Sequence, residues 1–481
     1  MNYSKRACIL LLLLVAGACD KRFIELSPVA VSSAGNFYKT EADMVNAING
    51  TYSILQRDGL YGREHLFGDI ISDDASTVSG VCILGYCDFD NFSIAPNGTA
   101  ASDRLNARWS DAYAGIYRTN AILNRISGAT MTETVRTRVT GEAKFLRGLF
   151  YFTLVRTFGD VPLVLKELES AESFGYGREA SAKIYEQILI DLNEAATALP
   201  ATYATADLGR ATTGAANALL GTVYLTLKNY TEAEKVLKKV VDANTHTLLP
   251  NYADVFATTN ANNQEIVFAV QYKRTNGEGS VFNTLFAPEN SGSAIANAAQ
   301  GALVPTDDLV KSFEKGDKRL DVSIATYTYT NGTTRLYTKK YFDPGAPASD
   351  ADNDWPVFRY SDVLLMYGEA LNETNKTTLA ETLLNTVRAR AGLSAKAGLT
   401  QAAIRIALAQ ERRVELCFEG HRWWDLTRTN MALSVMNQYF ANNNITSGGN
   451  VVKVKDNQLF FPIPQNQIDI NAGKITQNPG Y

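Results

Sequence analysis

The residues that could do chemistry in this 481-residue chain do not form a recognisable catalytic set. The three histidines, His65, His246 and His421, lie in unrelated contexts, and the sequence has no Gly-x-Ser-x-Gly, His-Glu-x-x-His or phosphate-binding glycine motif. Its 50 acidic residues still allow the carboxylate pair that a glycoside hydrolase needs. We therefore expect no catalytic residue, no metal and no cofactor, and keep a hydrolase as the weaker alternative.

One short cluster favours a different chemistry, the binding of sugar rings. A sugar presents apolar C–H faces and hydroxyl groups, so a binding surface needs flat aromatic rings beside polar side chains. Both kinds lie within seven positions, at Tyr86, Asp88, Phe89, Asn91 and Phe92. The rings of Phe89 and Phe92 are explained about equally well as anchors that pin this segment to helices.

The elements that must position this cluster are mostly helical. Apolar residues recur at helical spacing in residues 44–55, 109–123, 142–158 and 181–199. Residues 210–244 read as a helical hairpin, and Leu220 to Tyr224 fits the tetratricopeptide pattern. Because one repeat cannot bury its own face, further repeat helices are expected; the candidates are residues 142–158, 359–372 and 379–391.

Two long regions lack this periodicity, residues 59–101 and residues 264–355. Segments of this length without regular structure usually carry function in compact proteins. The aspartates at 350, 352 and 354 lack the glycine and distal glutamate of a calcium loop, so we expect a solvated acidic turn there. The predicted fold is thus mostly α, with tetratricopeptide-type hairpins supporting a loop-rich region with little β-structure.

The N-terminus indicates export. Lys5 and Arg6 precede an apolar run and three small residues, which is the organisation of a signal peptide over residues 1–18. Cys19 follows directly and resembles the lipidated cysteine of a lipobox, so residues 19–38 would form a lipid-anchored tether. A secreted protein without lipid is the alternative. With a net charge of −4, nucleic acid is not an expected partner.

The remaining cysteines are assigned by their surroundings. Cys82 and Cys87 lie close together in the first irregular region, and an exported chain meets oxidising conditions, so a disulfide between them is a hypothesis. Cys417 lies on an apolar helical stripe and is expected to be a buried hydrophobic residue.

The stretch from Glu411 to Arg428 predicts a tertiary junction. Its glutamates at 411, 415 and 419 are spaced to stack on one helix face, which is unfavourable unless arginines neutralise them. Those arginines are either the nearby Arg412, Arg413 and Arg422 or others brought in by folding. Trp423 and Trp424 point about 100° apart on a helix, so at least one is expected to pack in the core.

This stretch also resembles the C-terminal signature of the SusD/RagB family, surface lipoproteins that capture nutrients for a TonB-dependent outer-membrane transporter. Further blocks resemble the family across the mature chain, at residues 109–123, 142–147, 158–163, 359–371, 460–464 and 477–481. The resemblance implies one domain over residues 39–481. It also implies that the ligand surface combines both irregular regions, which brings forward Phe282, Phe286, Tyr327 and Tyr329.

The resemblance further implies a non-enzymatic lipoprotein on the outer surface of the outer membrane. It would bind oligosaccharide or polysaccharide and deliver it to a SusC-like TonB-dependent transporter. Trp is absent from both irregular regions except at Trp355, which leaves a peptide or another nutrient as an alternative cargo. The competing class is a repeat scaffold that binds another protein through its concave helical face.

Overall fold

The computed structural model describes residues 37–77, 85–471 and 473–481. The predicted signal peptide, Cys19, most of the predicted tether and Cys82 lie outside the described residues. Within them, none of the helices is both long enough and apolar enough to cross a lipid bilayer.

Helices make up most of the described chain, as the sequence predicted. In chain order they are α1 (Glu41–Tyr52), α2 (Tyr86–Asp90), α3 (Ala100–Arg125), α4 (Glu133–Phe158), α5 (Ser170–Ser173), α6 (Ser181–Ala198), α7 (Thr213–Thr226), α8 (Tyr230–Asp242), α9 (Phe282–Phe286), α10 (Asp307–Ser312), α11 (Leu320–Ser323), α12 (Tyr360–Glu373), α13 (Thr377–Arg390), α14 (Gln401–Glu415), α15 (Arg422–Arg428), α16 (Ala432–Asn442) and α17 (Gln465–Ile470).

The ends of these helices follow from local side-chain chemistry. The Thr40 side chain accepts a hydrogen bond from the Asp43 backbone, and the Asp43 carboxylate accepts one from the Thr40 N–H, at 2.9 Å. This reciprocal capping fixes the start of α1. At its far end, α4 stops at Gly159, whose φ of 74° is a conformation that favours glycine.

The long helices pack in succession, each against the next. Helix α3 lies on α4, α4 on α6, α6 on α7, α7 on α8, α8 on α12, and α12 on α13 and α14. A Cβ atom on Gly221 of α7 would lie 2.4 Å from a Leu237 methyl carbon on α8, so a glycine permits this close approach. The predicted hairpin over residues 210–244 is confirmed, and the predicted repeat helices extend the stack on both sides of it.

Within the described residues, the strands are short and form two-stranded antiparallel sheets. They are β1 (Ala75–Ser76), β2 (Ile266–Val270), β3 (Val304–Pro305), β4 (Ile324–Thr328), β5 (Thr334–Thr338), β6 (Trp355–Arg359), β7 (Thr446–Ser447) and β8 (Asn450–Val451). The pairs are β1 with β3, β2 with β6, β4 with β5, and β7 with β8. The predicted fold class, mostly α with little β, is therefore confirmed.

The glutamate junction differs from the predicted continuous helix. Helix α14 ends at Glu415, and the chain then turns through Phe418 and Gly420, which both have positive φ. Glu419 therefore lies outside the helix and reaches the same buried region from the turn. Sequence periodicity missed this break because the turn leaves the apolar spacing of Val414, Cys417 and Phe418 intact.

The cations that neutralise these glutamates come from distant parts of the chain. Glu415 pairs with Arg319 at 2.9 Å, with Arg359 at 2.6 Å and with Arg390. Burial by itself would raise the pKa of Glu415, but these three arginines hold that pKa well below its ordinary value. The same network takes in Glu411 and Glu419, which pair with Arg319 at 2.7 Å and with Arg359 at 2.7 Å, respectively.

The nearby arginines serve a different purpose: they join this helical region to the first irregular region and to α12. Arg413 and Arg422 pair with Asp73 at 2.9 and 2.7 Å. Arg412 pairs with Asp362 of α12 at 2.6 Å. Both tryptophans are buried, and the Trp424 indole N–H donates to Glu64 at 3.2 Å. The stretch from Glu411 to Arg428 is thus the point where both irregular regions meet the helical stack.

Candidate functional site

The two irregular regions meet through backbone pairing. Strand β1 pairs with β3 so that Ala75 lies opposite Pro305 and Ser76 opposite Val304. Next to this pair, the Thr306 hydroxyl donates to the Asp73 carbonyl at 2.7 Å. The described part of residues 59–101 is therefore joined to residues 264–355, and side chains from both can contribute to one site.

Two tyrosines form the aromatic part of the candidate site. Tyr327 and Tyr329 are two positions apart on the β4–β5 hairpin, so their side chains lie on the same face. Their ring centroids are 4.9 Å apart at an interplanar angle of 85°, and both residues are half-buried. An edge-to-face arrangement is a favourable geometry for two aromatic rings, so each ring holds the other in place.

Polar groups surround this tyrosine pair. Arg335 lies opposite Tyr327 across the hairpin, forms an ion pair with Glu289, and has its guanidinium carbon 6.0 Å from the centre of the Tyr329 ring. The Tyr327 hydroxyl is 3.5 Å from the Ser291 carbonyl. Burial, together with the charge of Glu289, raises the pKa of Tyr329. The arrangement places two tyrosine rings, a guanidinium and a carboxylate side by side, with the guanidinium and the carboxylate paired to each other.

The sequence reading missed Glu289, Ser291 and Arg335, although a local signal for the hairpin was present. Asn331 and Gly332 stand between two alternating segments, which is a strong hairpin signature. In the structure Gly332 has a φ of 82°, and the Asn331 carboxamide accepts a hydrogen bond from the Thr333 N–H at 3.0 Å. Nothing in the sequence indicated that residues 289–291 would lie beside this hairpin.

The aromatic residues of the first predicted cluster are in the core, so the prediction that they stack on a ligand is corrected. Phe89 is fully buried, with its ring centroid 5.4 Å from Phe67 and 5.8 Å from Phe461. Phe92 is 6 % exposed and lies 5.4 Å from Trp423. These rings pin the segment to the core, which was the alternative explanation.

Tyr86 is also buried, at 2 % exposure, and its hydroxyl accepts a hydrogen bond from Arg63 at 3.1 Å. The phenylalanines of the second region are buried as well: Phe282 lies 5.0 Å from Trp355, and Phe286 lies 4.8 Å from His65. These three rings are therefore corrected from ligand contacts to core residues.

The polar members of the first cluster remain at the surface. Asp88 and Asn91 are half-buried, and the Asp88 carboxylate accepts a hydrogen bond from the Ser93 hydroxyl at 3.1 Å. Ligand contact by Asp88 and Asn91 stays a prediction. Cys87 is half-buried beside them, and since Cys82 lies outside the described residues, the disulfide hypothesis also stays a prediction. Cys417 is buried with a free thiol, as expected.

One aspartate of the acidic turn, Asp352, is paired with basic neighbours. Asp352 pairs with Lys273 at 3.2 Å and with Arg274 at 3.1 Å, and Asp354 accepts a hydrogen bond from the Tyr272 N–H at 2.8 Å. Within the described residues, no group of three or more histidine, cysteine and acidic side chains is arranged to hold a metal ion.

A half-buried carboxyl group joins the end of α2 to the residue that follows β1. Asp90 accepts a hydrogen bond from the Thr77 N–H at 3.0 Å, which holds together the two ends of residues 77–90. Burial raises the pKa of Asp90 to about 6, above the ordinary value near 4. Ionised Asp90 therefore costs stability, and this cost is full above pH 6 and disappears below pH 4.

We expect Asp90→Asn to stabilise the protein by about 1–2 kcal/mol at pH 8 and to leave its stability unchanged near pH 4. The amide oxygen keeps the bond from Thr77 but carries no charge to desolvate. Urea unfolding at the two pH values measures the difference. Asp88→Asn, two positions earlier on a carboxylate that accepts from the Ser93 hydroxyl, is the control and should shift stability by less than about 0.5 kcal/mol at either pH. An equal gain at both pH values would contradict this account of Asp90.

Comparison with known proteins links these features to one family. A model of the SusD family matches residues 324–481, and a model described as starch-binding associating with outer membrane matches residues 29–225. A SusD-like protein of Formosa agariphila is 28 % identical over 96 % of this chain and 97 % of its own length.

The names of two further similar proteins state which glycan they bind. The starch-binding protein SusD of Bacteroides thetaiotaomicron is 25 % identical over 75 % of this chain and 76 % of its own length. A solved structure of a laminarin-binding SusD-like protein superposes with a TM-score of 0.77 at 27 % identity, covering 92 % of this chain and all of that one.

Proposed function

Because the chain belongs to the SusD/RagB family, we propose that it is a non-enzymatic glycan-binding protein that captures oligosaccharide or polysaccharide at the cell surface. The observation that carries this proposal is the tyrosine pair with Arg335 and Glu289 beside it, on and next to the β4–β5 hairpin of the second irregular region. Rings with flanking polar groups match the two faces of a sugar. Relatives named for binding starch and laminarin support the same class of ligand.

We further propose that the protein is a lipoprotein, acylated at Cys19, that delivers its cargo to a SusC-like TonB-dependent transporter in the outer membrane. The family description associates such chains with the outer membrane, and the sequence around Cys19 resembles a lipobox. Residues 39–481 would act as one domain, a lid that retains the glycan above the transporter. Peptide capture in the same role is the second candidate, since Arg335 and Glu289 also suit a charged chain.

The test is the loss of glycan binding on removal of both rings. We expect Tyr327→Ala combined with Tyr329→Ala to weaken binding of the hairpin site at least about 10-fold, because stacking on either ring is lost. A microarray of plant, algal, fungal and animal glycans identifies the ligand, and calorimetry with the best-bound oligosaccharide measures affinity.

The conservative variant Tyr327→Phe with Tyr329→Phe keeps both rings and should retain most of the affinity. A tagged double-alanine protein should still co-purify with the transporter from the native outer membrane. Unchanged affinity together with an unchanged number of bound oligosaccharides in the double-alanine variant, or selective binding of peptides with no glycan bound, would overturn the proposal.

A further inference from the structure

A second aromatic surface lies away from the hairpin, in a cleft between α3, the segment that follows α4, and the C-terminal residues. The cleft has a volume of about 380 Å³ and is lined by Trp109, Tyr113, Tyr117, Phe174, Tyr176 and Ile470, among others. None of its lining residues belongs to the β4–β5 hairpin or to residues 289–291. The fold therefore carries two separate aromatic surfaces.

The exposure of these rings is unusual for this chain. In the part of the chain that the structure describes, three aromatic side chains are strongly exposed: Tyr117 at 49 %, Phe174 at 48 % and Phe460 at 45 %. Two of the three line this single cleft, and Ile470 beside them is 54 % exposed. Grouped apolar exposure of this kind marks a binding surface rather than scattered surface residues.

The cleft also contains polar side chains at its edge. Lys166, Glu169, Gln467 and Asn471 all line it, and they supply cationic, anionic and amide groups next to the rings. A concave site with aromatic walls and a few polar groups suits a compact amphipathic ligand better than a flat protein surface. A sugar ring is such a ligand, because its apolar C–H faces can stack on the aromatic walls and its hydroxyl groups can bond to the polar side chains.

The walls of the cleft are held in place by the fold. The Tyr113 hydroxyl donates to the Pro162 carbonyl at 2.7 Å, and the Tyr151 hydroxyl donates to the Val164 carbonyl at 2.8 Å. On the other side, Arg178 donates to the carbonyls of Asp160 and Thr476, at 2.8 and 2.9 Å. A site that is rigid before binding loses less entropy when the ligand arrives.

We propose that this cleft is a second saccharide-binding site, so that one molecule holds two positions on the same polysaccharide chain. The inference rests on the proposed function, because it takes the ligand class from there. Two linked contacts raise the apparent affinity for a long chain well above that of either site alone. The cleft would keep the protein bound to a long polysaccharide while the hairpin site releases one segment of that polysaccharide and binds another.

Calorimetry of the full-length mature protein, with the oligosaccharide that the glycan array identifies, tests the inference. We expect two binding sites in the wild-type protein and one in Tyr117→Ala combined with Phe174→Ala. The variant with alanine at both Tyr327 and Tyr329 should also keep one site. The variant that combines all four alanine substitutions should have none. Retention of the parent polysaccharide in affinity electrophoresis should weaken at least about 10-fold in the cleft variant.

Phe460→Ala is the matched control, since it removes a similarly exposed ring outside the cleft and should keep both sites. A single site in the wild-type protein that the hairpin variant abolishes would overturn the cleft and leave the proposed function standing. No glycan binding by the wild-type protein would overturn both. Loss of transporter association in the cleft variant, with glycan stoichiometry unchanged, would show a protein contact and reject the saccharide site.

Discussion

Replacing Arg359 with methionine is expected to lower the free energy of unfolding by about 3–5 kcal/mol at neutral pH. Arg359 is 1 % exposed and contacts Glu265 at 2.9 Å, Glu415 at 2.6 Å and Glu419 at 2.7 Å. Methionine fills much of the same volume but leaves three buried carboxylates short of a cation. The loss therefore measures the cost of unpaired charge rather than a cavity.

The loss in free energy of unfolding caused by Arg359→Met should become smaller as the pH falls. Since the pKa of Glu415 is held well below its ordinary value in the folded protein, its stabilising contribution is full above about pH 4.5 and is lost as the pH falls. In the Arg359→Met variant that contribution is reduced, so the two proteins should converge in stability on acidification. Urea unfolding at pH 7 and pH 4 measures both effects.

The matched control is Arg405→Met, which removes an arginine that pairs with Glu373 at 2.7 Å on the surface. The Arg405 side chain is 52 % exposed, so water and salt screen the pair and its loss should cost less than about 1 kcal/mol. Equal losses in the two variants would show that burial does not set the strength of the Arg359 network.

Replacing Gly68 with alanine is expected to cost about 3 kcal/mol or more, or to prevent folding. A Cβ atom at this position would lie 2.2 Å from the carbonyl oxygen of Gly420 and 2.4 Å from its Cα. Both contacts are with backbone, which cannot rotate away as a side chain can. The first irregular region would then have to separate from the turn that follows α14.

This close approach is fixed from both sides. The Gly420 N–H donates to the Asp69 carboxylate at 2.9 Å, so the two backbone segments are joined beside the contact. Gly128→Ala is the control, because a Cβ there meets nothing within 4 Å and the change should be within about 0.5 kcal/mol of neutral. Thermal unfolding of the soluble fraction compares the variants, and a wild-type melting temperature for Gly68→Ala would contradict the packing described.

The helical part of the fold follows from local sequence, because helix periodicity and capping involve residues within a few positions of each other. The capping of α1 by Thr40 and Asp43 and the end of α4 at Gly159 are local signals of this kind. The tertiary partners could not be predicted in this way. Arg319, Arg359 and Arg390 reach Glu415 from positions 96, 56 and 25 residues away, and no local pattern indicates such pairs.

The same limit explains the corrected binding residues. The spacing of Phe89 and Phe92 is compatible with a surface or a core position, and the choice is made by Phe461, Trp423 and Phe440, which lie more than 300 positions away in the chain. Tyr327 and Tyr329 are half-buried and pack against each other, two positions apart in the chain. Composition alone could not separate these two groups of rings.

The self-contained hairpin has an evolutionary consequence. Its cross-strand partners run from Ile324 with Thr338 to Thr328 with Thr334, so its backbone bonds are satisfied internally, and the tip at Asn331 and Gly332 is exposed. Mutations at the tip can therefore accumulate without disturbing the helical stack. Under the proposed function, substitutions in this hairpin would change which glycan is bound while the helical stack keeps its packing.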